Sequence, residues 1–366
     1  MTSRLEKKVI TCLENKEFYE AHQVYRTLYS RWLAAGRYAD VMALLYDGAN
    51  RLFAADEIQS AFDLVDLFAT ALLESKAEPS EEIYSRVEKL LLNLIANSSE
   101  GEDKKQTAVD ARNKFVADCV NWSQKMATKN REKKRGLSEL HHRVAKVFWK
   151  SELYEQARNH LLVAEQPEEF AKFLVEMHSA VGHPSEDDLF VVLAVLQLLC
   201  LHRVKTADSL LQTYGKQHPA IKTAASPFPR PLLNFCWFLI RIIPMKNVTQ
   251  FSSLVEQYKD HLSRDPTYSS YLMRIGELFF GKKAPSQGGG GLLGSLFKGL
   301  LGPEKKEEVE IFSESDMDEV DSLEMEIDDH NHDDDGFETA GEDEPTPPPS
   351  SSSKKRPVID TMDDLD

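Results

Sequence analysis

Apolar residues recur every three or four positions from about residue 4 to residue 280. Ala21, Val24, Tyr25, Leu28 and Trp32 stand at i, i+3, i+4, i+7 and i+11. Val41, Leu44, Leu45, Gly48 and Leu52 repeat the pattern, as do Ile58, Ala61, Leu64, Val65, Phe68 and Leu72. Ile83, Val87, Leu90, Leu91 and Leu94 follow, then Phe115, Cys119, Trp122 and Met126, then Val144, Val147 and Phe148. This spacing places the apolar side chains on one stripe of each helix. No run alternates polar and apolar positions as a half-buried strand would. The pattern predicts an all-α chain.

The breaks between the predicted helices are short. "ENKEF" precedes Tyr19, "AAGR" precedes Tyr38 and "AADE" precedes Ile58, so each helix with its turn takes about 20 residues. A faint echo marks the starts: "FYEAH" at Phe18–His22, "RYADV" at Arg37–Val41 and "LYEQA" at Leu153–Ala157. An aromatic followed by a small alanine suits stacked helical hairpins of the tetratricopeptide kind, because alanine lets the next helix approach. Tyr19, Ala21 and Tyr25 are read as packing residues between hairpins. No strict period is found.

Capping signals agree. Ser80 stands before Glu81 and Glu82, which puts carboxylates in a helix's first turn. Ser185 with Asp188 reads as a capping-box-like pair before the apolar run Leu189–Leu201. Pro219 and "ASPFPRP" (Ala225–Pro231) mark a loop, and a turn or hairpin is predicted between Pro244 and Thr249. The expected organisation is an α-solenoid over 1–281, a glycine-rich linker with a short amphipathic segment over 282–302, and a disordered acidic tail over 303–366.

Charge sharpens this division. The net charge is −16, yet from Pro303 to Asp366 24 acidic residues face 5 basic ones, which leaves the preceding residues at +3. A near-neutral body argues against a general nucleic-acid surface. The cysteines Cys12, Cys119, Cys200 and Cys236 form no CxxC pair and read as buried, reduced thiols of a cytosolic protein. "MTSRLEKKVI" turns charged at once, so no signal peptide is expected. Leu189–Leu201 and Leu232–Ile243 fall short of the roughly 20 residues that span a bilayer, so both are read as buried helices.

Catalytic chemistry is sparse. There is no GxxxxGK[ST], HExxH or GxSxG. Gly289, Gly291 and Gly294 spell GxGxxG, but a helical pattern precedes them and an acidic tail follows, where a dinucleotide site needs a strand–turn–helix unit. His330 and His332 stand in the carboxylate-rich tract Asp328–Asp335, which lacks fold-fixed ligands and reads as solvated tail. His141 and His142 are adjacent and face different ways on a helix, which favours structural roles. Ser313 and Ser315 precede acids at the spacing acidophilic kinases read, and Lys354–Pro357 is a short basic patch. The expectation is a chain without catalysis or cofactor that holds other proteins.

Five blocks carry a resemblance: "YEAHQVYRTL" (Tyr19–Leu28), "LLYDGA" (Leu44–Ala49), "PLLNFCWFLI" (Pro231–Ile240), "RDPTYSSYLMRIGELFFG" (Arg264–Gly281) and "GGLLGSL" (Gly290–Leu296). In this order they resemble the Golgi-to-ER traffic protein 4 family over roughly residues 4–300. The resemblance implies an α-solenoid adaptor, itself non-catalytic, in the delivery of tail-anchored membrane proteins to the endoplasmic reticulum. It implies an N-terminal half that contacts an ArsA-like targeting ATPase and favours its ATP-bound form. It implies a C-terminal half that grips a ubiquitin-like scaffold or a BAG-family chaperone, and through it a glutamine-rich co-chaperone that carries the client. Lys8, Arg26, Arg31 and Asp63 match charged positions of the ATPase-facing surface. Where the family often has Glu, seven residues after Asp63, this chain has Thr70, and Asp66 is the candidate substitute. At the other end Phe235, Tyr268, Tyr271, Ile275, Leu278 and Phe279 supply large apolar groups for a scaffold-binding groove.

The glycine-rich stretch supplies one more candidate. Leu292, Leu293, Leu296, Phe297, Leu300 and Leu301 share one face of a helix about ten residues long, with Gly294, Ser295, Lys298 and Gly299 opposite. It is too short to span a bilayer and marginal alone in water. With only Lys298 basic it suits anionic membranes poorly, and docking on protein fits better. The alternatives are a peripheral membrane protein that uses Leu292–Leu301 and a generic tetratricopeptide-like co-chaperone.

Overall fold

The computed structural model describes residues 4–97 and 102–281. Sixteen α-helices and two 3-10 turns, and no strand, occur among them. The first half holds α1 (Arg4–Glu14), α2 (Phe18–Ala34), α3 (Tyr38–Ala54), α4 (Ile58–Glu74), α5 (Glu81–Ala96), α6 (Glu102–Met126), α7 (Asn130–Arg135) and α8 (Ser138–Lys150). The second holds α9 (Tyr154–Leu161), α10 (Pro167–Val181), α11 (Leu189–Cys200), α12 (Val204–Gln217), α13 (Pro231–Ile242), α14 (Val248–Gln257), α15 (Lys259–Leu262) and α16 (Thr267–Phe280). No helix of the described residues is long and apolar enough to cross a membrane.

One turn, used repeatedly, makes the hairpins. Lys16, Gly36, Asp56, Glu152 and His202 all have φ between 56° and 69°, and each stands two residues before a helix start. The residue after each returns its N–H five positions back, from Glu17 to Cys12, Arg37 to Trp32, Glu57 to Leu52, Leu153 to Phe148 and Arg203 to Leu198, at 2.8–3.0 Å. That bond closes a helix C-terminus and reverses the chain. In the first hairpins α2, α3 and α4 begin at 18, 38 and 58, a true period of 20 residues. Lysine, glycine and aspartate occupy the same backbone position there, so the period is invisible to residue identity.

Successive hairpins stack in two layers. α2, α4 and α6 touch in one layer, and α3 and α5 in the other. Gly48 lies where α3 meets both neighbours: a Cβ there would sit 2.8 Å from the Tyr25 ring and 2.9 Å from Leu64 Cδ1. Ala21 and Tyr25 are buried as expected, but Tyr19 is 74% exposed. The reason is angular: Tyr19 is off the stripe of Ala21, Val24, Tyr25 and Leu28 that faces α1, α3 and α4. Ser80 caps α5 through a bond from the Ile83 N–H. The buried Trp122 of α6 donates to the Ala77 carbonyl at 3.2 Å.

The expected Ser185–Asp188 cap does not form. Ser185 lies inside a 3-10 turn, Pro184–Glu186, whose capping pair is His183 and Glu186. Asp188 precedes α11 without a capping bond, because its buried carboxylate is bound by Arg264. The turn predicted at Pro244–Thr249 is a 3-10 turn, Ile243–Met245, followed by Lys246 at φ 51°. Asn247 then caps α14 by accepting from the Thr249 and Gln250 N–H groups.

Candidate protein-docking surfaces

The first candidate surface is a row of charges across α2, α4 and α6. His22 and Arg26 are four residues apart on α2, hence on one face. Both reach Asp63 on α4: His22 Nε2 lies 2.7 Å from Oδ2, and Arg26 Nη1 donates to Oδ1 at 2.9 Å. One turn along α4, Asp66 pairs with Lys114 of α6, which also lies 3.5 Å from Asp118. The hydrogen bond to Asp66 is the main reason that the Lys114 ammonium is held above its ordinary pKa. Thr70 donates to the Asp66 carbonyl at 3.0 Å, so its hydroxyl is spent on its own helix. Lys8 and Arg31 are exposed. Asp63 and Arg26 are therefore brought together, and Lys114 joins them. Lys114 escaped sequence reasoning because its role depends on α6 packing beside α4, which no local pattern encodes.

The residues expected to form a scaffold-binding groove lie largely in the core. Phe235, Tyr268 and Ile275 are fully buried and Tyr271 nearly so. Phe235 packs against the Tyr258 ring, with centroids 5.6 Å apart, and Tyr271 Oη accepts from Gln197 Nε2 at 3.0 Å. These side chains fix α13 and α16 in the solenoid. Leu278 and Phe279 are half-buried, the latter against the His202 ring. Regular helical spacing selected them, and regular spacing is the mark of a core stripe.

The exposed apolar groups lie off that stripe. On α13 the stripe is Leu232, Phe235, Cys236, Leu239 and Ile240. Phe238 and Ile242 stand on a second face, and Met245 continues their line; Phe238 is 43% exposed and Met245 62%. A cleft of about 350 Å³ opens between α13 and α14, lined by Phe238, Ile242, Gln250, Ser253, Leu254 and Gln257 among others. None of its lining residues is charged. The signal in the sequence is an apolar residue where the helical period calls for a polar one.

Two histidine clusters find their hydrogen-bond partners within the fold. His141, buried on α8, donates through Nε2 to the Arg135 carbonyl at 2.7 Å. Its Nδ1 must therefore accept, and His160 Nδ1 lies 2.9 Å away. Burial lowers the His141 pKa to about 4 and pushes His160 well below its ordinary value. His142 pairs with Glu169. Ala220 N–H, His218, His178 and the His183 carbonyl form a second relay, at 3.3, 3.1 and 2.9 Å. Cys12, Glu17 and Glu20 come within 4.8 Å of one another, but burial raises the Cys12 thiol's pKa, which disfavours the thiolate a metal needs. The GxGxxG glycines, the tract with His330 and His332, and Leu292, Leu293, Leu296, Phe297, Leu300 and Leu301 all lie outside the described residues.

Comparison with known proteins identifies the solenoid. Residues 35–301 match the family described as Golgi to ER traffic protein 4. A Golgi to ER traffic protein 4 homolog of Oryzias latipes is 38% identical over 302 residues, spanning 82% of this chain and 88% of the relative. The homolog of Homo sapiens is 36% identical over 310 residues, covering 84% and 89%. Among solved structures, one titled "Crystal structure of C. therm. Get4" superposes with a TM-score of 0.62 over 82% of this chain and 97% of the other, at 21% identity, a likeness of fold. The helical solenoid and the match across most of its length establish that the chain belongs to the Golgi to ER traffic protein 4 family.

Proposed function

We propose that the chain is a non-catalytic cytosolic adaptor in the delivery of tail-anchored membrane proteins to the endoplasmic reticulum. In this reading the α2–α4–α6 face holds an ArsA-like targeting ATPase. The C-terminal end holds a ubiquitin-like scaffold or a BAG-family chaperone, and with it the glutamine-rich co-chaperone that carries the client.

Membership of the traffic family is the observation that carries the reading. The two surfaces support it because they differ in chemistry. Arg26, Asp63, Asp66 and Lys114 form an exposed alternation of charge across three helices, suited to electrostatic steering. The α13–α14 cleft is apolar and uncharged, suited to burying an amphipathic helix. Asp63 is pre-oriented by two donors, so a partner's cation meets a carboxylate already fixed in place.

Affinity purification of the tagged full-length chain from cytosol tests the reading. Co-purification of an ATPase of the ArsA type with a ubiquitin-like or BAG-family protein is expected. Charge reversal at Asp63 and Asp66 should release the ATPase and leave the scaffold. Recovery of neither protein overturns the proposal.

A further inference from the structure

Residues 125–135, from the end of α6 through α7, carry Lys125, Lys129, Arg131, Lys133, Lys134 and Arg135 against one acid, Glu132. Six cations against one acid leave a net +5, more than the +3 of the whole chain before Pro303. The one acid is turned inward: Glu132 is half-buried and accepts from the Ser138 hydroxyl at 3.4 Å. Lys125, Lys129 and Lys133 are exposed and form no ion pair among the described residues.

The fold gathers two of these cations around a pocket. Leu73 at the end of α4, Asn121, Gln124 and Lys125 of α6, and Lys133 of α7 line a cavity of about 370 Å³, and none of them is acidic. Its walls are held in place. Gln124 Nε2 donates to the Lys134 carbonyl at 2.9 Å, and the Leu137 N–H donates to the buried Ser123 hydroxyl at 3.1 Å, so α7 is pinned against α6. Gly136 makes that approach possible: it has φ 94°, and a Cβ there would stand 2.7 Å from Ser123 Oγ. On the other side Lys125 Nζ lies 3.5 Å from the Leu73 carbonyl.

The pocket also continues a surface already described. Lys114, Asp118, Asn121 and Lys125 recur at i, i+4, i+7 and i+11, so they share one face of α6. Lys114 pairs with Asp66 and Lys125 reaches Leu73, so α4 and α6 run side by side in the same direction. The pocket lies eleven residues beyond Lys114, about 16 Å along the helix.

We propose that this pocket receives a carboxylate from an acidic, extended segment of a partner protein docked on the α2–α4–α6 face. The inference rests on the reading of that face as a docking face, and not on which protein docks there. Exposed Lys129 and Arg131 lie just outside the pocket in sequence and call for several acids in succession, not a single ion. Other polyanions fit less well. The exposed large apolar side chains of the described residues include none between 121 and 135, so nothing there enters a bilayer or stacks on a base. The face then has a polarity, with the carboxylates of Asp63 and Asp66 toward one end and unpaired cations at the other, which orients the partner.

Fluorescence anisotropy of a short labelled peptide of alternating Asp and Glu, titrated with the full-length chain at several salt concentrations, tests this. The wild-type chain should bind, and binding should weaken as salt rises. Lys125→Glu with Lys133→Glu should weaken it at least about tenfold and leave the thermal midpoint in place, since both side chains are exposed. The same pair changed to Gln should give a smaller loss, and Lys150→Glu, at an exposed lysine of α8, should give none. No binding by the wild-type chain, or equal binding by the reversed variant, overturns the proposal. Carbodiimide cross-linking with peptide mapping identifies the occupant, and bonds from Lys125 or Lys133 to the acidic peptide are expected. Bonds formed in the free chain to its own carboxylates beyond residue 303 assign the pocket to the chain itself and overturn the partner form. Binding to phosphatidylserine vesicles that the reversal abolishes, with peptide binding untouched, assigns the patch to a membrane and overturns it as well. A chain that binds the peptide through Lys125 and Lys133 yet captures no ATPase from cytosol keeps the pocket and loses the adaptor reading. A chain that captures the ATPase and ignores the peptide loses the pocket alone.

Discussion

Arg264 binds Asp188 across 76 residues of chain, its Nη1 lying 3.0 and 2.9 Å from the two carboxylate oxygens. Asp188 is 1% exposed, and its neighbour Asp187 is likewise buried and bound by Arg230 at 2.7 Å. Two adjacent carboxylates at the start of α11 are thus held by arginines from two separate loops. Burial is what raises the Asp188 pKa, and Arg264 opposes it. Truncating Arg264 leaves a buried, unpaired acid.

Arg264→Ala should therefore cost roughly 3 kcal/mol, a value expected for breaking a buried pair. Asp188→Asn added to it should recover much of the loss, because the uncompensated charge is gone. Urea denaturation of the two single variants and the double variant measures the coupling. Additive losses would mean that the pair is not the link between α11 and the α15–α16 loop.

The repeated hairpin turn makes a separate prediction. Gly36 has φ 69° and open space where a Cβ would stand. Gly36→Ala then isolates the backbone cost, about 1–2 kcal/mol for a left-handed residue with a Cβ. At Lys16 and Asp56, with φ 62° in the equivalent turns, glycine should be neutral to stabilising, by up to about 1 kcal/mol. Thermal unfolding of the three variants should show opposite signs at position 36 and at positions 16 and 56.

The His141–His160 pair makes stability depend on pH. Both rings are neutral in the fold, since His141 donates to a carbonyl through one nitrogen and accepts through the other. In the unfolded chain each titrates near 6.5. Below that pH the unfolded state takes up protons that the folded state refuses until about pH 4, the lowered His141 value. The sign follows from the proton count: stability is full above pH 6.5 and falls toward pH 4, at about 1.4 kcal/mol per pH unit for each histidine. His218, lowered chiefly by burial and then by His178, adds in the same direction. Denaturation midpoints between pH 7.5 and 4.5 should decline, and His141→Gln should reduce the slope. An unchanged slope in that variant would remove His141 from the account.

The sequence discloses the helices because each buries one stripe, and the stripe is a local property. It discloses Ser80 as a cap for the same reason. It misleads at Ser185–Asp188, where a local capping pattern loses to Arg264, a partner 76 residues away from Asp188. At Phe235, Tyr268 and Ile275 the regular helical spacing marks buried positions. The cleft side chains Phe238 and Ile242 are legible only as departures from the stripe. The row joining Arg26, Asp63, Asp66 and Lys114 depends on the layer of α2, α4 and α6, which tertiary packing alone creates.

Asp63 separates a structural role from a binding role. Arg26 is half exposed, so its pair with Asp63 contributes at most about 1 kcal/mol to folding. Asp63→Asn keeps an oxygen that can accept from His22 or Arg26 and removes only the charge. The thermal midpoint should therefore move little. If the α2–α4–α6 face steers a charged ATPase, the same change should slow association and flatten its salt dependence, with a smaller effect on dissociation. Lys114→Gln, which removes the cation beside Asp66, should alter the association rate in the opposite sense for a partner that presents cations. Stopped-flow association at several salt concentrations measures both. Rates and salt slopes unchanged in both variants would show that the charge row serves the packing of the hairpins and not the capture of a partner.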